Sequence, residues 1–247
     1  MSLARRLVSE GLGTAFLLAV VVGSGIMAER LSGGNVALAL LANSIATGAG
    51  IVALILMFGT ISGAHFNPAV TLSEAWQKNM PGSEVVPYIL VQIIGAYAGV
   101  AAVHFMFQDP VFFASEHIRT GASQWWSEFV ATFGLISVII GCSRSRPGVT
   151  PFAVAAYITS AYWFTSSTSF ANPAVTLARA ATNTFSGIRP IDTPGFIVAQ
   201  LLGATVATIL FCWLYPATPK DSTVGVTVAP SDFASHQLNK DRHRVAN

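Results

Sequence analysis

Long apolar runs alternate with short polar ones along the chain, so the charged residues serve as rulers. A spanning helix needs about 20 apolar residues, because a hydrocarbon core of ~30 Å is crossed at ~1.5 Å per residue. Between Glu10 and Glu29 lie 18 uncharged residues, between Glu84 and Asp109 lie 24, and between Asp192 and Lys220 lie 27. Each predicts one span. Another falls near residues 124–142, with Glu128 inside it and Arg144 at its boundary. Two intervals do not divide into whole crossings: 43 uncharged residues separate Arg30 from Glu74, and 32 separate Arg146 from Arg179. The first predicts a helix over about 36–59 and a shorter apolar piece starting at Asn67. The second predicts a helix over about 151–167 and a shorter piece starting at Asn172. The simplest account is an all-α membrane protein with six full spans and two half-length helices.

Composition agrees with the pattern and excludes other classes. The 247 residues are 53% hydrophobic and 10% charged, with mean hydropathy +0.60. A soluble domain carries roughly a quarter charged residues. A net charge of +2 gives no polybasic face for nucleic acid. Cys142 and Cys212 sit in apolar runs and suggest neither a disulfide framework nor a metal cluster. No cofactor is called for.

The two short pieces are copies. Asn67-Pro68-Ala69-Val70-Thr71-Leu72 recurs letter for letter as Asn172-Pro173-Ala174-Val175-Thr176-Leu177, displaced by 105 residues. Glu10 followed by Thr14 is echoed by Glu128 followed by Thr132. Two related halves follow, about 6–108 and 123–215, each with three spans and one half-helix. Three is odd, so the second half enters the membrane inverted. Inverted repeats with broken helices meeting at the midplane are typical of transport proteins.

Asn is a favoured N-cap and Pro a favoured first helical residue. Asn-Pro before an apolar run therefore predicts a helix that starts inside the membrane, where irregular backbone survives only against protein or water. Inversion brings both N-termini, with their positive dipole ends, to one central place. If each asparagine oxygen caps its own helix, each amide NH₂ is left to donate to a permeating oxygen. Such a place favours neutral polar solutes over cations.

These motifs, Ser62-Gly63-Ala64-His65-Phe66-Asn67-Pro68-Ala69-Val70-Thr71 above all, resemble the aquaporin (major intrinsic protein) family over about residues 6–215. The resemblance implies a right-handed bundle of six spans and two re-entrant half-helices, one pore per protomer, a homotetramer and a passive channel. It also implies that Glu10 and Glu128 are buried carboxylates holding loop backbone. By the family's spacing, the selectivity filter falls on Thr47, Ser160, Ser169 and Val175. Val175 stands where water-selective members and the usual glycerol facilitators carry arginine. This filter is expected to be wide and uncharged, and a similar loss of arginine marks the bacterial aquaporins associated with arsenic-resistance genes. Neutral arsenite and related metalloid hydroxides, glycerol and water are the implied solutes, with an ordinary glycerol or water channel as the alternative.

The remaining residues fit around that reading. His65 is a candidate for the pore wall. Arg179 lies two turns down the second half-helix and is not expected to replace the missing arginine. Trp125-Trp126 and Trp213 through Tyr215 suggest interfacial anchors. Nine of the 13 Lys and Arg fall on one side if the N-terminus is cytoplasmic, which predicts cytoplasmic termini and an inner-membrane location. The apolar stretch after Arg5-Arg6 reads as a retained helix rather than a signal peptide. Residues 216–247 read as a polar cytoplasmic tail. A secondary transporter would need ionisable residues at mid-membrane beyond the two repeat-related glutamates. An enzyme would need a nucleophile with a base, which the five histidines and two cysteines do not suggest.

Overall fold

The computed structural model describes residues 1–215, and the expected tail lies outside them. Eight helices follow in order: α1 Leu3–Leu31, α2 Val36–Ser62, α3 Pro68–Trp76, α4 Val85–Phe107, α5 Ala122–Ser145, α6 Thr150–Phe164, α7 Pro173–Arg179 and α8 Thr193–Leu214. No strand occurs among the described residues. Five stretches are long and apolar enough to cross a membrane: Leu3–Leu31, Val36–Ser62, Gly82–Phe107, Ala122–Ser145 and Pro190–Leu214. The sixth long helix, α6, has 15 residues, about 22 Å at the usual rise, and a 3₁₀ turn over Pro147–Val149 lengthens it.

The ends of the long helices have local causes. Gly63, with φ +94°, terminates α2 in the left-handed region. The helix expected to run to residue 167 stops instead at Phe164. The hydroxyl of Ser167 is drawn away to donate to Glu128 at 2.6 Å, which pulls the chain off the helix axis. Asn67 and Asn172 cap α3 and α7 with Pro at the first helical position, and both caps are extended, with φ −156° and −158°.

Helix α1 packs on α4 and α2, as α5 packs on α8 and α6, while α2 meets α6 across the two halves. The short helices fill the interior, α3 against α4 and α8, and α7 against α4 and α8. Small residues let the long helices approach, as expected where lipid supplies no hydrophobic drive between them. A Cβ on Gly95 would overlap the Gly11 carbonyl, and one on Gly203 would overlap the Phe129 carbonyl. These two contacts are repeat equivalents: Gly11 follows Glu10 and Phe129 follows Glu128, each facing a glycine on the last span of its half.

Gly99 meets the Ala15 carbonyl in the same crossing. Replacing Gly99 or Gly203 by Val should therefore cost about 1–3 kcal/mol, seen as a lower unfolding midpoint in detergent. Gly82→Ala, where a Cβ meets open space, should leave the midpoint unchanged.

Candidate functional site

Between α2 and α3, and again between α6 and α7, the chain crosses the interior without regular structure. The first connection holds Gly63, Ala64 and Phe66 at positive φ, and the second holds Thr168, Ser169 and Ala171 there. Residue for residue these positions match at the 105-residue offset. Left-handed backbone costs a non-glycine residue about 1–3 kcal/mol, so something must hold it.

Two buried carboxylates do so. Glu10, fully buried, accepts at one oxygen from the Ser62 hydroxyl at 2.6 Å and the His65 amide at 2.9 Å. Its other oxygen accepts from the Phe66 amide at 2.7 Å and the Gln92 side chain at 2.9 Å. Glu128, equally buried, repeats the pattern with the Ser167 hydroxyl at 2.6 Å, the Phe170 amide at 2.8 Å, the Ala171 amide at 2.9 Å and the Gln200 side chain at 2.6 Å. The same glutamine amides also donate to Thr71 and Thr176, whose hydroxyls donate to the carbonyls of Asn67 and Asn172. Each carboxylate thus ties a long helix, a loop and a half-helix together.

Sequence reasoning singled out the glutamates but not Ser62, Ser167, Gln92, Gln200, Thr71 or Thr176. A signal existed for them. Ser62 and Ser167 stand five residues before their asparagines, and Gln92 and Gln200 are lone amides in apolar runs.

Asn67 accepts the Ala69 amide at 2.9 Å, and Asn172 accepts the Ala174 and Val175 amides at 3.0 and 3.3 Å. Their amide groups are not wholly free. Asn67 donates to the Ala171 carbonyl at 2.8 Å, and Asn172 donates to the Phe66 carbonyl at 2.8 Å. Each side-chain amide therefore spends one N–H on the opposite loop and keeps one. This reciprocal pair holds the two half-helix starts together.

The other expected site residues are brought together only in part. Thr47, 2% exposed, has its hydroxyl 3.2 Å from the Tyr162 hydroxyl. Val175 packs in a cluster with Leu18, Val22 and Val100 from α1 and α4. Ser169 is 3% exposed and its hydroxyl has no partner. Ser160 does not join them: it is exposed, as are Phe152, Ala156 and Phe164 at four-residue spacing, and its hydroxyl donates to the Tyr157 carbonyl. The inward face of α6 is set by Val154, Ile158 and Tyr162, which pack against Ala171. Counting twelve residues back from Asn172 lands on the wrong side of the helix. Tyr162, buried at 3%, stands beside Thr47 instead.

His65 is half-buried, with Nδ1 3.1 Å from the Thr71 hydroxyl and its ring 5.4 Å from that of Tyr88. Arg179 does not point away from the loop. Its guanidinium carbon lies 3.3 Å from the centre of the Phe170 ring, and Arg119, from the segment before α5, lies 5.1 Å from the same ring. Two arginines thus share the Phe170 ring. Burial pushes the Arg119 guanidinium below its ordinary value, opposed by the Glu128 carboxylate.

Glu128→Gln would put an N–H donor where only acceptors are satisfied. Hydrogen bonds to charged groups contribute about 1.5–3 kcal/mol each, so the variant should lose about 3 kcal/mol or more, measured as a lowered unfolding midpoint in detergent. Glu10→Gln should behave alike.

Comparison with known proteins agrees with this geometry. The family described as Major intrinsic protein matches residues 1–164 and 147–239. The aquaglyceroporin AqpS of Rhizobium meliloti (strain 1021) is 54% identical over 218 residues, 88% of this chain and 93% of that protein. The aquaporin AqpM of Methanothermobacter thermautotrophicus is 31% identical over 255 residues, 87% of this chain and 98% of that one. Among solved structures, the X-ray structure of the aquaglyceroporin from Plasmodium falciparum superposes with TM-score 0.61 at 21% identity, over 87% of this chain and 96% of that chain, a likeness of fold. The chain belongs to the major intrinsic protein family, whose members are passive membrane channels and not enzymes.

Proposed function

We propose that the chain conducts small neutral hydroxylated solutes down their gradients: glycerol, trihydroxy arsenic and related metalloid hydroxides, and water. The observation that carries this reading is the asparagine pair: Asn67 and Asn172 each cap their own half-helix, donate one N–H to the opposite loop and keep one N–H to offer a solute. The interior also holds the Thr47–Tyr162 hydroxyl pair and the buried hydroxyl of Ser169. A trihydroxylated molecule can exchange its water shell for these groups one at a time. Apolar Val175 gives a wall that binds nothing tightly, which suits rapid passage.

Similarity to a protein described as an aquaglyceroporin supports glycerol. Metalloid hydroxides enter because they present hydroxyls as glycerol does. The alternative, a plain glycerol or water channel, gains from the bulk of Tyr162 beside Thr47. A homotetramer in the inner membrane with cytoplasmic termini belongs to the same proposal, supported by the resemblance and by the distribution of Lys and Arg.

In proteoliposomes the protein should pass glycerol and arsenite without sodium or proton coupling, followed by light scattering and arsenic analysis. Uptake that collapses with the sodium or proton gradient would instead indicate a transporter, and glycerol or water flux without arsenite flux would select the alternative. Tyr162→Ser should raise the size of the largest permeant polyol, while Ser160→Ala should not alter it. Ser169→Ala should slow glycerol severalfold without lowering the unfolding midpoint, since the hydroxyl makes no bond to the described residues that the variant would lose.

A further inference from the structure

The charge around Phe170 is not explained by the fold. Arg179 and Arg119 share one aromatic ring, yet the ion pairs among the described residues are Arg6–Glu84, Arg30–Asp109 and Arg189–Asp192. Among the described residues, neither arginine at the ring has a carboxylate within pairing distance. Arg179, 2% exposed, donates from Nε to the Ser186 carbonyl. Arg119 donates from Nε to the Gly187 carbonyl at 2.8 Å and from Nη1 to the Ser167 carbonyl at 3.1 Å. The neighbouring acids are already engaged. Glu128 has both oxygens occupied by the loop, and Asp192 is clasped by Arg189 and by the Arg119 amide. Two fixed positive charges therefore stand at one place with one carboxylate, Glu128, linked to them only through loop backbone.

Their position follows from helix geometry. Arg179 comes four residues after Val175, on the same face of α7, and helical side chains slant toward the N-terminus. The guanidinium lies over the ring of Phe170, which stands two residues before Asn172 in the chain, and donates to the Ser186 carbonyl. Arg119 reaches the same ring from the segment between α4 and α5, held by two carbonyls. Through Nη1 and the Ser167 carbonyl, Arg119 is tied directly to the loop that leads into Asn172.

The geometry points to Arg179 and Arg119 as the residues that exclude cations from this channel, supplying from one turn away and from a connecting segment the positive charge that position 175 lacks. The inference rests on the channel reading above. A fixed charge within several ångströms, in surroundings less polar than water, raises the entry barrier for sodium or a proton by a factor of about ten or more and leaves a neutral solute untouched. Val175 can then be small and apolar without opening a path for ions.

The test compares sodium and glycerol permeability of the full chain in liposomes held at a fixed membrane potential. Arg119→Gln with Arg179→Gln should raise the sodium-to-glycerol ratio about tenfold or more. A double variant that conducts glycerol with an unchanged ratio overturns the inference. Because that variant removes packing from Phe170, a second pair keeps both arginines. Val175→Glu places a carboxylate four residues before Arg179, the favoured order for a helical ion pair, and neutralises it, whereas Val175→Gln does not. The Glu variant should show the higher ratio, and equal ratios overturn the inference even if the double variant fails to fold. Absence of glycerol flux in the unaltered protein would overturn the channel reading and this inference together.

Discussion

The architecture depends on two carboxylates that have no access to water. A charge inside a membrane is tolerated only when its partners are supplied by the protein, and here each is supplied with four donors drawn from a hydroxyl, two backbone amides and a glutamine. These bonds hold backbone that would otherwise relax. Two or three left-handed residues per loop cost about 1–3 kcal/mol each, and four charge-assisted bonds at about 1.5–3 kcal/mol each are of the size needed to offset that. The loops are fixed because the carboxylates win this balance, and the half-helices start at mid-depth because the loops are fixed.

What the loops carry is a reciprocal link. Asn67 and Asn172 cap their own helices and each donates to the carbonyl of the opposite loop. The two halves are thus joined at the one point where irregular backbone from both is present. The link uses half of each amide's donors and fixes the direction of the other half. A donor that needs no reorientation when a solute arrives is useful to a channel, where binding must be easy to make and to break. The arginines at Phe170 add long-range charge to this short-range polarity, and the two properties come from different segments of chain.

Much of this was legible in the sequence because it is written locally. Uncharged intervals of 43 and 32 residues left remainders too short to span, and Asn-Pro at the head of each remainder marked a helix start. The repeat of six identical residues implied two related halves, and the same offset reappears in the loop conformations and in the loop hydroxyl and amides that donate to Glu10 and Glu128. Capping, proline placement and hydrophobic length depend on neighbours a few residues apart, so one strand of text contains them.

Tertiary structure decided the rest. Ser160 and Tyr162 are two residues apart on one helix, about 200° around its axis, and only the packing of α6 against the second loop determines which faces Thr47. Arg119 and Arg179 are 60 residues apart in sequence and meet at a ring that belongs to neither of their segments. Gln92 and Gln200 reach their carboxylates across 82 and 72 residues. The sequence by itself determined where helices begin, how many there are and that they form two related halves, since those follow from spacing and local capping. Which side chains face the constriction, and which charges stand beside it, depended on helix phase and on contacts between distant segments, and those exist only once the chain is packed.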